Sequence, residues 1–271
     1  MKIMKWLLVS LLSLTLVGCF KNKKSTDQLC QNNPGLQCEQ LNMDDGQCRI
    51  ARTDLIWHRF EVQKHPTEAN KIQEFKLVTA YNKCLELAAQ IEALDQSKLQ
   101  ERRFTALMHS SEESERIVTE LSQSKSPETL YFLWSQIGDI NARRHFLQLE
   151  GTEALNTAEM QYALATFYTT RDYAKTLKLL NNALTLTHDQ PVNTEIFKSM
   201  ASINHKLGHK EKAYVWAMVA KEFNVPIVSE AELSVLYNFE EKKYSRLNED
   251  ADKIVDAIKD GAYQASLISD Y

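Results

Sequence analysis

Helix breakers are scarce in this chain, and they fall between apolar stripes rather than inside them. The sequence has 7 glycines and 5 prolines in 271 residues. Beyond the first twenty residues they are Pro34, Gly35, Gly46, Pro66, Pro127, Gly138, Gly151, Pro191, Gly208, Pro226 and Gly261. Between them, apolar residues recur at helical spacing, most plainly Ile72, Phe75, Val78, Tyr81, Leu85, Ala88 and Ile91. Breakers at the ends of 3.6-period stripes leave little room for a turn-rich β protein, so the expected fold class is all-α, built from antiparallel helix hairpins. Charged residues at 25% and hydrophobic residues at 44% are ordinary for a globular chain with a real core.

The N-terminus reads differently from the rest. Lys2 and Lys5 precede the apolar run Trp6 to Val17, which is too short to span a bilayer and fits the core of a secretory signal. The run ends in Leu16-Val17-Gly18-Cys19. That tetrapeptide resembles a bacterial lipobox. The resemblance implies cleavage before Cys19, a diacylglyceryl group on its thiol and an acyl chain on its new amine. Two or more chains anchor a protein stably without a transmembrane helix, at about 0.8 kcal/mol per buried CH2. Phe20, where similar proteins retained in the inner membrane carry Asp, implies the outer membrane and its periplasmic face. Loss of residues 1–18 removes Lys2 and Lys5 and takes the net charge from −4 to −6, which argues against a nucleic-acid partner.

Lys21 to Gln28 is polar and lysine-rich, and residues 19–29 are expected to form a lipidated tether. Cys30, Cys38, Cys48 and Cys84 follow; outside the cytoplasm four cysteines suggest two disulfides, with three possible pairings. Helices flanking His65-Pro66-Thr67 would fold back on each other, and Cys48 and Cys84 are equally far from Pro66. This register favours Cys48–Cys84 and leaves Cys30–Cys38 to close the loop around Pro34-Gly35. A zinc site is disfavoured, since no C-x2-C pair is present. Arg49, Arg52, Asp54, His58 and Arg59 give the first helix a dense charged face, expected to be solvated.

Asp95-Gln96-Ser97 interrupts the second helix, and Ser110 with Glu113 has the spacing of a capping box that would begin a new one. The polar stretch Ser122 to Ser126 is the expected boundary between a cysteine-containing helical region, 30–125, and a repeat region, 126–261, with a frayed tail at 262–271. In the second region Phe197, Met200, Ala201, Ala213, Ala217, Ala220 and Pro226 resemble the tetratricopeptide pattern, in which small residues let paired helices approach closely. Leu164, Ala165, Tyr168, Leu180 and Ala183 echo it one pair earlier, while Asn204 and Thr176 depart from it. The resemblance implies TPR-like or Sel1-like helical repeats.

The segment Cys38 to Phe60, above all Asp45-Gly46-Gln47-Cys48-Arg49 and Arg52-Thr53-Asp54-Leu55-Ile56-Trp57-His58-Arg59-Phe60, resembles a family of gammaproteobacterial lipoproteins known only as a domain of unknown function. It implies no activity. His205 and His209 are four apart but lack H-E-x-x-H, and no P-loop, nucleotide fingerprint or G-x-S-x-G occurs, so no cofactor, catalytic residue or small-molecule substrate is expected. The sequence reading is a lipid-anchored envelope lipoprotein that binds an envelope protein partner. The alternatives are an envelope enzyme such as a peptidoglycan hydrolase, or a structural lipoprotein with no specific client.

Overall fold

The computed structural model describes residues 25–91, 97–188 and 191–268. The described residues are helical with no strand, in two compact units that divide between Gln123 and Ser124. Among them no helix is long and apolar enough to cross a membrane.

The first unit begins earlier than a tether to residue 29 would allow. Ser25 and Gln28 form a reciprocal capping box at the start of α1 (Thr26–Asn32). Leu29 is fully buried, so residues 25–29 belong to the folded body, a correction to the 19–29 tether. Two short 3-10 turns, Pro34–Leu36 and Cys38–Leu41, bury Leu36 and Leu41. Three long helices follow: α2 (Arg49–Lys64), α3 (Glu68–Ala89) and α4 (Ser97–Leu121). Thr67 caps α3 through the Asn70 amide at 3.2 Å, just past the Pro66 turn.

The register of these helices follows from their cross-links. Arg59 faces Glu74 and Cys48 is bridged to Cys84 across α2 and α3, while Asn82 faces Ser110 and Ala88 faces Arg103 across α3 and α4, so each neighbouring pair is antiparallel. Leu55, Ile56, Val78, Tyr81, Leu85, Ala106 and Ile117 form the core.

One helix, α4, stands where two were expected. Ser110 does not cap a new start. Its hydroxyl donates to the Leu107 carbonyl at 2.8 Å and accepts from Asn82 Nδ2 at 2.9 Å. A serine bonded back to its own helix sits comfortably in mid-helix, and Glu113 is engaged by arginines instead.

The second unit opens with α5 (Pro127–Phe132), which has Pro127 in its first turn and Ser126 as cap. It continues as a π-helical turn, Leu133–Ile137, that ends at Gly138 with φ +83°. Glycine takes that left-handed conformation without strain, so the chain can reverse into α6 (Ile140–Gln148), capped by Asp139.

Then come α7 (Ala158–Tyr168), α8 (Tyr173–Thr185), α9 (Glu195–Lys206), α10 (Lys210–Glu222), α11 (Glu230–Tyr237) and α12 (Glu241–Lys259). α7 pairs with α8 and α9 with α10, and α10 also packs on α12. Ala165, Ala183, Ala213, Ala217 and Ala220 are buried and Ala201 is half-buried. The departures Thr176 and Asn204 are buried too, and each bonds back to its own helix, at the Asp172 and Met200 carbonyls. The expected frayed tail is corrected for residues 262–268, where Tyr263 is buried and a 3-10 turn forms at Ala265–Leu267; residues 269–271 lie outside the described residues.

Candidate functional site

Of the residues singled out from the sequence, Cys19 lies outside the described residues, as do the signal segment and the lipobox. The other four cysteines form two disulfides, Cys30–Cys38 with Cα atoms 5.9 Å apart and Cys48–Cys84 at 5.7 Å. This is the pairing that the hairpin register favours. Among the described residues no three His, Cys, Asp or Glu side chains are grouped to hold a metal ion. His205 lies edge-on to Tyr237, and His209 Nδ1 is 3.4 Å from Asn204 Oδ1.

Of the charged face of α2, Arg49 and Asp54 are exposed as expected and His58 is half-buried, but Arg52 and Arg59 turn inward. Arg52, Leu55, Ile56 and Arg59 form its buried stripe, with the two arginines taking apolar positions at helical spacing. Ile50, in the first turn of the same helix, is 75% exposed. Arg52 donates to the Asn42 and Asp45 carbonyls at 2.7 and 2.9 Å, and Tyr81 donates to Leu41. Burial pushes the Tyr81 phenol up to about 12. These bonds tie the 3-10 segment before α2 onto the helices, because buried arginine must have its donors satisfied.

Arg59 opens into a cleft of about 420 Å³, lined by α2, α3 and α4. Its Nε donates to Glu74 at 3.2 Å and its Nη2 to Glu113 at 3.0 Å. Arg116 joins Glu113 and Glu120, and Lys71 reaches Glu120 at 2.8 Å. Burial alone would raise the Glu113 carboxyl, but the Arg116 hydrogen bond and the nearby Arg59 charge hold it below the usual carboxylate range. The hydrogen bond from Lys71, with the Arg116 charge, does the same for Glu120. Paired in this way, the charges join α2, α3 and α4 across the cleft.

The second unit presents two surfaces of another kind. Helix α11 buries Leu233 and Tyr237 and turns Ala231, Val235 and Leu236 outward. With Val228 and Glu232 they line a shallow recess of about 470 Å³ whose exposed surface is mostly apolar, and Val235 is 84% exposed. A smaller hollow of about 240 Å³ lies along α8, α9 and α10, where Leu177, Met200 and Trp216 alternate with Asn181, Asn204 and Lys212.

Residues 16–218, about three quarters of the chain, match the family described as "Protein of unknown function (DUF2989)". The chain belongs to this family. The DUF2989 match begins at Leu16, ahead of Cys19, and ends within α10, so α11, α12 and the Tyr263 segment lie beyond it. No curated protein and no solved structure matches the chain.

Sequence reasoning missed the buried Arg52, Arg59, Asp45 and Arg103, and it missed Tyr263. A signal for the first two was present, since Arg52 and Arg59 flank Leu55 and Ile56 at i, i+3, i+4 and i+7. Nothing local marks Asp45, Arg103 or Tyr263, whose partners are far away in sequence.

Proposed function

We propose that this DUF2989 member is a lipoprotein anchored through Cys19 in the outer membrane, facing the periplasm, where it acts as a protein-binding adaptor. The observation that carries the binding role is the apolar recess of Val228, Ala231, Val235 and Leu236. A soluble surface seldom leaves such side chains contiguous and outward unless something covers them. Tight helix pairs in the second unit support a TPR-like or Sel1-like reading, because stacked hairpins with small residues at their contacts display extended surfaces for partner peptides. Lipobox, signal segment and two disulfides together support an envelope location.

Crosslinking in intact cells, followed by detergent extraction and mass spectrometry, tests the adaptor role. A small, reproducible set of envelope proteins is expected. Recovery of the protein alone, or only with the most abundant membrane proteins, overturns it. Cys19→Ala tests the anchor: lipid labelling should vanish and the protein should leave the membrane fraction. Unchanged labelling would reject the lipobox.

A further inference from the structure

Past the end of α12 the chain is aimed at the second unit's hollow. Gly261 has φ +64°, and a Cβ there would meet the His188 carbonyl oxygen at 3.1 Å. The Gly261 carbonyl in turn accepts from His188 Nδ1 at 3.2 Å. The positive φ and the close approach both favour glycine here. Tyr263 then enters between helices and is only 3% exposed. Its phenol donates to Asn181 Oδ1 at 2.6 Å, and its ring meets Trp216 edge-on, centroids 6.2 Å apart.

From there Gln264 is extended, at φ −136° and ψ 140°. Ala265 and Ile268 lie along the hollow without filling it, since about 240 Å³ remains against Met200, Asn204 and Lys212. Tyr263 is the one buried residue in the stretch 262–268. A segment held by one anchor opens locally far more easily than the helices beneath it.

We propose that the α8–α10 groove is a peptide-binding site occupied in cis by residues 262–268, and that its partner in trans is an extended peptide with tyrosine at the anchor position and small residues after it. Tyrosine is specified by chemistry. Asn181 Nδ2 is committed to the Leu177 carbonyl at 2.8 Å, which leaves Oδ1 as an acceptor for a phenol that phenylalanine lacks. The proposal rests on the adaptor reading and gives it a site distinct from the α11 recess.

The test uses the full chain carrying Tyr263→Ala and, as probe, the labelled synthetic peptide GAYQASLI, which repeats residues 261–268. Fluorescence anisotropy should show the probe binding the variant at least about tenfold more tightly than the unaltered chain, whose own segment lowers the open fraction. The same peptide with phenylalanine at the anchor should bind more weakly. No binding to a Tyr263→Ala chain that circular dichroism shows to be folded overturns the proposal.

Hydrogen exchange on the unaltered chain gives a second test that needs no variant. Amides of 264–268 should exchange much faster than those of α10; equal protection would make the segment a fixed part of the fold and overturn the proposal. Crosslinked partners without probe binding remove the groove and keep the adaptor. Probe binding without crosslinked partners keeps the groove and removes the adaptor.

Discussion

Arg103 of α4 and Asp45 of the turn before α2 form an ion pair at 2.6 Å, with both side chains only 5% exposed. The same guanidinium donates to the Ala88 carbonyl at the end of α3, at 2.9 Å. Asp45 also accepts from the Gln47 amide and from Asn42 Nδ2. Burial opposes its charge, but the Arg103 hydrogen bond with these others holds its carboxyl below the usual range. One arginine thus joins the pre-helical turn to the helices. Removing one partner leaves a buried charge without compensation. Asp45→Ala is expected to cost the first unit about 3–5 kcal/mol in urea unfolding. Arg103→Met should cost a similar amount, and the double variant markedly less than the two together. Strict additivity would show that the pair is not coupled.

Acid should destabilise the first unit in two stages. Burial lowers the His109 pKa from its ordinary 6.5, against the opposing pull of Glu113. Its Nε2 is buried without a hydrogen-bond partner, so the charged imidazolium gains nothing from the fold at that atom. The unfolded chain therefore takes the proton first. The stabilisation is complete above pH 6.5 and is lost as pH falls through the lower folded value. Asp45, Glu113 and Glu120, all lowered, add a second loss that begins near their ordinary values of 3.8 and 4.5. Urea midpoints for the native chain should begin to fall as the pH drops below 6.5, ahead of the carboxylate range, and His109→Gln should flatten that first loss while leaving the later stage intact. An unchanged slope would assign the first stage to another group.

The two disulfides should differ in weight. Cys48–Cys84 closes a separation of 36 residues and Cys30–Cys38 one of 8. Loop-closure entropy grows with length, so losing the longer bridge is expected to cost more, within a range of about 2–4 kcal/mol each. Thermal unfolding of Cys48→Ala/Cys84→Ala against Cys30→Ala/Cys38→Ala reads the order. Non-reducing peptide mapping should give two linked peptides, and a Cys30–Cys48 species would contradict the register of α2 and α3.

Val235→Asp separates binding from folding. Val235 is 84% exposed, so the substitution should change stability by no more than about 0.5 kcal/mol. A charge placed in an apolar recess should nevertheless reduce the yield of crosslinked partners several-fold. Unchanged capture would move the contact surface away from α11.

Helix positions and caps were legible because they are local. Ser126-Pro127, Ser229 with Glu232, and the breakers Pro66, Gly138, Gly208 and Gly261 all mark helix boundaries, and each acts on backbone within one turn of itself. Ser110 with Glu113 has the same spacing as Ser229 with Glu232, yet only the second pair is a cap. The difference lies in what surrounds them. Arg59 and Arg116 draw Glu113 away, and Asn82 supplies the Ser110 hydroxyl with a donor.

Sequence by itself determined the helical class, the breaker positions and a cysteine spacing that suits one hairpin register, since each depends on periodicity or on distance along the chain. Only the tertiary structure decided which polar groups go inside. Arg59 and Glu74 are 15 residues apart, Asp45 and Arg103 are 58 apart, and Asn181 and Tyr263 are 82 apart. A charge or a phenol is buried when its partner arrives from elsewhere in the fold to offset its desolvation, and no local pattern carries that information.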